Sequence, residues 1–245
     1  MAWPQTVEEL EEAQRAIAAK APPPFVFETA GKLAVAGCFV CFPRGHAGAG
    51  SAGDPAWSAA AICRGGRVER VVRVEGRAAA PYRPGYLALR EGPILEEAFR
   101  ALPARPDLLL VNASGRDHPR RCGLALHLGY ALDVPSVGVT HRSLYARGAM
   151  PSPSPAGGGA PLFLDGEQVA RWVRVSERAR PLVAHPGWRT NVDTAAAIVH
   201  ALSAGRRART PLPIRAARQA ARDARAAGQG RSVGPSGPLV YRRLD

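Results

Sequence analysis

Lysine is almost missing from this 245-residue chain: of 33 basic residues only Lys20 and Lys32 are lysines, and the rest are arginines. Cysteine is scarce too, and four in a chain this long make no disulfide framework. No apolar run approaches the ~20 residues that a membrane span needs, so no membrane association is expected. Glu8, Glu9, Glu11 and Glu12 stand where a secretory leader would be basic and then apolar. These shortages lead to the expectation of a cytoplasmic protein with reduced thiols. What is present is ordinary for a globular chain, with 46% hydrophobic and 22% charged residues, too apolar for a disordered one. The excess of basic over acidic residues, net +13, points to a polyanionic partner but says nothing of fold. An arginine-rich codon habit accounts for part of it.

Thr6 and Glu9 have the spacing of a capping box, and Val7, Leu10, Ala13 and Ile17 share a face, which predicts a helix over 6–19. The run Pro22-Pro23-Pro24 ends it. Residues 33–42 are short, apolar and partly β-branched, as a buried strand is. Two further strands, Trp57–Cys63 and Val68–Val74, flank Gly65-Gly66, a hairpin signal. From there the rhythm alternates: helix over Glu91–Leu102, strand Leu108–Val111, helix Cys122–Leu132, strand Ser136–Thr140. Such alternation implies parallel pairing with crossover helices. A second hairpin is expected around Asp165-Gly166, then a strand at Leu182–Ala184 and helices over Val192–Leu202 and Ile214–Ala226. A meander followed by alternating strands and helices defines one α/β domain over 1–228, a mixed sheet with flanking helices compatible with a ribonuclease-H-like core. Residues 229–245 have little periodicity and read as a loosely ordered tail. A monomer is the default.

Three stretches, in order, resemble the endonuclease V family, whose members cleave nucleic acid near deaminated adenine. The strongest runs from Pro106 to Gly129 (PDLLLVNASGRDHPRRCGLALHLG). It is similar to the family's central strand, Asp-Gly loop, His-Pro-Arg turn and following helix. The second, Pro81-Tyr82-Arg83-Pro84-Gly85 leading to Arg90-Glu91, resembles the family's Tyr-x-Pro-Gly wedge loop and Arg-Glu helix start. The third, Val35-Ala36-Gly37-Cys38-Phe39, sits where the family reads Val-Ala-Gly-x-Asp. Weaker matches lie at Val137–His141 and Pro186–Arg189.

The resemblance implies Mg²⁺-dependent phosphodiester hydrolysis, in which hard oxygen ligands hold the cation against the scissile phosphate. Carried over by position, the family's aspartate, glutamate, aspartate and late histidine become Phe39, Glu91, Asn112 and Trp188. Only Glu91 keeps its carboxylate. Phe39 has no lone pair, Asn112 offers one neutral carbonyl oxygen, and Trp188 can only donate. Mg²⁺ binding at Glu91 and Asn112 is therefore expected to be weak or absent, with Phe39 and Trp188 vestigial. His141 stands where the family has a lysine.

Nucleic-acid contacts implied by the resemblance are more complete. Tyr82 is expected to insert between bases, with Arg83 and Pro84 on the same loop. Gly85 and Gly115 would let backbone come close to a flipped base. Arg120 and Arg121 would grip phosphates, with His118 and His141 nearby. The simpler reading of His118 is a turn-stabilising hydrogen bond. Asp117, His127, His185 and Asp193 are polar residues placed near the same face; His127, in an apolar helix, reads as core, and Asp193 as a first-turn carboxylate. Arg215, Arg218, Arg222 and Arg225 fall on one helix face and form a candidate phosphate stripe. Cys38 and Cys41, three apart on a strand, point to opposite faces and read as structural thiols.

The expected function is an endonuclease V-like protein that binds deaminated or structured DNA or RNA and is catalytically impaired. Two alternatives stand beside it. One is an active Mg²⁺-dependent repair endonuclease using Glu91 and Asn112. The other is a non-catalytic protein-interaction module on the same scaffold, its partners unknown.

Overall fold

The computed structural model describes residues 2–44, 49–152, 158–176, 180–203, 210–229 and the backbone of 240–243. Its centre is a nine-stranded sheet in the order β6-β7-β8-β5-β4-β1-β2-β3-β9. The first three strands, β1 (Val35–Cys41), β2 (Pro55–Arg64) and β3 (Arg67–Arg77), form the expected antiparallel meander. Gly65 and Gly66 both take positive φ in its turn. β4 (Leu108–Val111) and β5 (Ser136–Thr140) add parallel to β1, as the alternation with helices requires. β8 (Leu182–Pro186) then reverses direction against β5, and the hairpin β6 (Gly159–Leu164) and β7 (Glu167–Val173) closes that edge.

Among the described residues five helices cover the two faces. α1 (Val7–Ala18), α2 (Leu87–Arg100) and α3 (Leu124–Leu132) lie on one side, and α4 (Val192–Ser203) and α5 (Leu212–Gly228) on the other. The capping box of α1 is complete: Thr6 accepts from the Glu9 amide at 3.1 Å, and Glu9 accepts from the Thr6 amide at 3.3 Å. α2 starts more than a turn before the expected Glu91. Pro93 sits at its seventh position. The tail expectation meets a strand: Val240–Arg243 form β9, parallel to β3. Residues 230–239 and 244–245 lie outside the described residues. Among the described residues no helix is long and apolar enough to cross a membrane.

Alternation along β1 divides its side chains between two cores. Ala36, Cys38 and Val40 pack toward α2 and α3, whereas Cys41 packs on α5 with Phe39 against the same cluster. All four cysteines are free and buried, and Cys38 and Cys41 point to opposite faces as their spacing requires. α5 lies directly on β1 because Gly37 has no side chain. A Cβ there would come within 2.2 Å of the Pro213 backbone. Ala217, Ala220, Ala221 and Ala224 continue the small-residue face that holds the helix close. Gly37→Ala therefore has to push α5 off the sheet. It is expected to lower unfolding free energy by about 1–3 kcal/mol, the usual cost of overpacking, which urea denaturation would read.

Candidate functional site

The parallel strands deliver three of the four carried-over positions to one mouth. The last β1–β4 pair is Cys38 with Val111, so Phe39 and Asn112 come next, side by side beyond it. Glu91, from the second turn of α2, shares a cleft of about 240 Å³ with Phe39, Asn112, Tyr82 and Leu87. Asn112 is exposed and Glu91 half-buried. Burial pushes the Glu91 carboxyl up to about 8, against the pull of the neighbouring Arg90 guanidinium. At neutral pH it is mostly a neutral acid. Arg90 itself is committed elsewhere, to Asp54 and to the Ser51 and Ala80 carbonyls.

Through Tyr82, Leu87, Asn112 and Leu124 this cleft runs into a larger cavity of about 540 Å³. Arg83, Pro84 and Gly85 of the wedge loop line one side, and Ser114, His118, Thr140, Arg142 and Leu144 the others. Tyr82 is 45% exposed. Arg83 stacks 4.3 Å over Tyr86. Gly85 has φ +79°, a conformation that favours glycine.

The His-Pro-Arg turn holds that loop in place. The Gly85 carbonyl accepts from Arg120 Nη2 at 2.7 Å and from His118 Nε2 at 3.0 Å, while His118 Nδ1 accepts from the Arg120 amide. Arg120 also donates to Gln14 and Glu11 and lies over Tyr86. Arg121 turns away to the β6–β7 hairpin, where it meets the Leu164 carbonyl, Asp165 and Glu167. Both arginines are thus spent on protein groups, contrary to the expectation that they reach phosphates. Gly115 departs as well. A Cβ there would meet the Pro186 carbonyl at 2.0 Å, so packing against β8 explains it, not access to a base.

The opposite wall rests on a buried chain. Asp117 accepts from three successive amides, those of Leu144, Tyr145 and Ala146, at 2.7–2.8 Å. His185 Nδ1 lies 3.8 Å from the same carboxylate, and its Nε2 is 2.8 Å from Thr140 Oγ1. The Thr140 hydroxyl donates to the Arg142 carbonyl, so His185 Nε2 is the donor to Thr140. His141 is exposed beside it. His127 is core, as expected, stacked on Trp3 at 4.7 Å. Asp193 faces Arg171 in the first turn of α4, away from the mouth.

On the α5 side, Arg218 places its guanidinium 5.5 Å from the centroid of the Phe39 ring. Its pKa is lowered by burial and then by Arg222 and Arg215. The stripe itself is visible in the sequence as a spacing; that it lands on Phe39 is not, because the two lie 179 residues apart. Arg225, the fourth of the stripe, donates to the Phe42 carbonyl.

A family model described as Endonuclease V matches residues 34–219. The chain belongs to the endonuclease V family. The endonuclease V of Methanopyrus kandleri is 48% identical over 122 residues, 50% of this chain and 52% of that relative. The Rhodospirillum centenum endonuclease V is 41% identical over 155 residues, covering 63% of this chain and 64% of its own length. The match thus spans between half and two thirds of these curated relatives. The crystal structure of the Streptomyces avermitilis endonuclease V superposes with a TM-score of 0.79 at 29% identity, covering 93% of this chain and 96% of that one. The Ciona intestinalis endonuclease V, in complex with a 24mer DNA containing an inosine followed by a ribo-adenosine, shares the fold at a TM-score of 0.71 and 21% identity, over 88% and 95% of the two chains.

The donor set at the endonuclease V mouth does not fit a hard divalent cation. Mg²⁺ seeks carboxylate and phosphate oxygens in near-octahedral array. Here one carboxyl is held near neutral, one amide oxygen is available, and the place between them and α5 is filled by a phenyl ring under a guanidinium. Among the described residues no three His, Cys, Asp or Glu side chains gather as a metal cage. Trp188 belongs to no part of this mouth. Its amide donates to Ser136 Oγ and its indole to Asp133, at the start of β5, while Phe39 and Asn112 lie at the other end of the parallel strands. The expectation that Trp188 marks the site is corrected; it packs edge-on against Tyr130.

Two measurements check this site. Burial holds His118, His127 and His185 near a pKa of about 4, below the ~6.5 of an unfolded chain. The unfolded state therefore binds more protons in between, and stability falls as pH drops from ~6.5 toward 4. Glu91, raised in the fold, acts oppositely: its contribution is full below ~4.5 and is lost as pH rises toward about 8. Urea midpoints should fall on the acid side with a slope of up to about three protons, and Glu91→Gln should remove the shallower decline toward pH 8. Asp117→Ala leaves three buried or half-buried amides without their acceptor. It is expected to cost about 3 kcal/mol or more in the same assay.

Proposed function

We propose that this endonuclease V homologue binds nucleic acid carrying a deaminated base or an unusual structure and cleaves it slowly or not at all. The observation that carries the reading is a juxtaposition. The cavity of about 540 Å³ keeps a wedge loop braced on its rim, while the cleft beside it holds a single carboxyl. Reaching a base inside a duplex requires extruding it into a pocket, with an aromatic side chain to fill the stack. Tyr82, exposed on the rim, supplies that group. The Ciona relative with inosine-containing DNA supports inosine as the first base to test, on a shared fold.

Cleavage asks for more than binding. A cation must polarise the phosphoryl oxygen and lower the pKa of the attacking water. At Glu91 it would first displace a proton held with a pKa of about 8, a cost of ~1.4 kcal/mol for each pH unit below that value. The remaining Asn112 oxygen brings no charge. Binding relies on other groups, the stacking ring and the arginines, and survives that loss.

The test is a gel shift and a nicking assay on the same protein. Inosine-containing oligonucleotides, DNA and RNA, should be retarded at low salt, with affinity falling steeply as salt rises. Tyr82→Ala should weaken the preference for inosine over adenine. Nicking in Mg²⁺ or Mn²⁺ should be slow, and Asn112→Asp should raise it by orders of magnitude. Fast nicking by the unaltered chain, abolished by Glu91→Ala, would restore a working endonuclease and overturn the impaired reading.

A further inference from the structure

At the mouth of this fold Glu91 is the one carboxyl lining the cleft, and cationic groups stand on the α5 side. Arg218 stands over Phe39, and on the same face of α5 Arg215 lies one turn before it and Arg222 one turn after. Among the described residues no carboxylate pairs with any of the three. Asp223, the one acid on α5, is turned to Gln219 and Arg73. Arg215 Nε is buried without a hydrogen-bond partner, and Arg218 is half-buried. Like charges crowded on a partly desolvated surface repel one another, and that repulsion is relieved when an anion arrives.

The path of such an anion is set by the cavities. Phe39 lines the small cleft, and that cleft opens through Asn112 and Tyr82 into the cavity under the wedge loop. If a base entered the larger cavity, the opening through Asn112 would lie next to its backbone phosphates, with Phe39 on the far side of the cleft. There the phenyl ring presents no competing anion, and a guanidinium lies on it. A metal centre holds phosphate through a dication that its carboxylates must first capture. A guanidinium is charged at every physiological pH and matches phosphate oxygens with a planar fork.

We propose that Arg218, flanked by Arg215 and Arg222, is a phosphodiester clamp that takes the place of a metal ion at this mouth, so that the chain holds nucleic-acid backbone without a divalent cation. This rests on the nucleic-acid-binding reading above and adds to it where, and by what charge, the backbone is held. It also assigns a purpose to Phe39. The ring is the aromatic neighbour of the guanidinium, within the ~6 Å of a cation–π contact.

The test is equilibrium binding of the full chain to an inosine-containing oligonucleotide, measured across a salt series in excess EDTA and again in Mg²⁺. Binding in EDTA should be at least as tight as in Mg²⁺, which competes for the phosphates as a counterion. Arg218→Ala should weaken binding about tenfold or more at low salt and lower the slope of log affinity against log salt by about 1. Arg218→Lys, which keeps the charge and loses the fork, should keep the slope and recover only part of the affinity. Arg222→Ala, at an exposed position, repeats the test where loss of fold is least expected; thermal melts confirm folding of each. Arg100→Ala, on the opposite face of the sheet and paired with Glu96, should change nothing. Binding in EDTA that ignores Arg218 and Arg222 overturns the clamp and leaves the binding reading standing. Binding that appears only with Mg²⁺ or Mn²⁺ overturns the clamp in favour of a metal centre. No binding in either condition overturns both.

Discussion

The contact between the first turn of α5 and the backbone of β1 at Gly37 governs what the mouth can be. With no Cβ at that position, Pro213 touches the strand, and the alanine face of the helix keeps it there for the rest of its length. Whatever projects from α5 a turn further on is delivered to position 39, two residues along the same strand. In this chain the delivered group is Arg218. An acidic residue at 39 would pair with it; a phenyl ring instead lets it stack. The identity of position 39 and that of position 218 are therefore one choice, made through a glycine.

That choice reverses the sign of the site. The resemblance implies a cage of three carboxylates at this place, which only a dication can neutralise. The structure has a single carboxyl, neutral near pH 7, and three guanidinium groups without carboxylate partners among the described residues. The two arrangements suit the same ligand, a phosphodiester, by opposite routes. One recruits the positive charge from solution and can use it as a Lewis acid. The other carries its charge permanently, but a guanidinium lowers the pKa of no bound water. Affinity for backbone and ability to cut it are separable on physical grounds.

Much of the fold is legible in the sequence, because its signals are local. The capping box of α1, the two hairpin turns, and the strands at Leu108–Val111 and Ser136–Thr140 all stand where periodicity and turn chemistry place them. α2 begins at Leu87, four residues before the expected Glu91, and Pro93 lies inside it. The site is less legible. Glu91, Asn112 and Phe39 come together as the resemblance implies, on strands whose order follows from the topology rules. Trp188 does not, because a four-residue match says nothing of which end of an antiparallel strand it follows. Arg120 and Arg121 look free in sequence, yet their partners are carbonyls and acids from residues 11 to 167, contacts between distant segments that no local pattern encodes. Asp117, His185 and Thr140 escaped as a unit for the same reason: three unremarkable polar residues become a chain only when β5 and β8 pair.

That chain explains how the cavity keeps its shape without metal ligands. The cavity has two walls, and neither is held by a cation. One is the wedge loop, fixed at the Gly85 carbonyl by His118 and Arg120. The other is the segment from Thr140 to Ala146, gathered on Asp117 and backed by His185. Apart from the 3.8 Å approach of His185 to Asp117, these are hydrogen bonds between protein groups, largely out of water, where an unpaired partner costs more than a paired one contributes. Such a network keeps its geometry whether or not an ion sits a few residues away. In a site whose pocket was shaped by metal coordination, replacing the ligands would collapse the pocket with them. Here the base-sized cavity and the catalytic mouth rest on separate supports, so substitutions at Phe39 and Asn112 can alter the chemistry while the walls that would enclose a base stay in place.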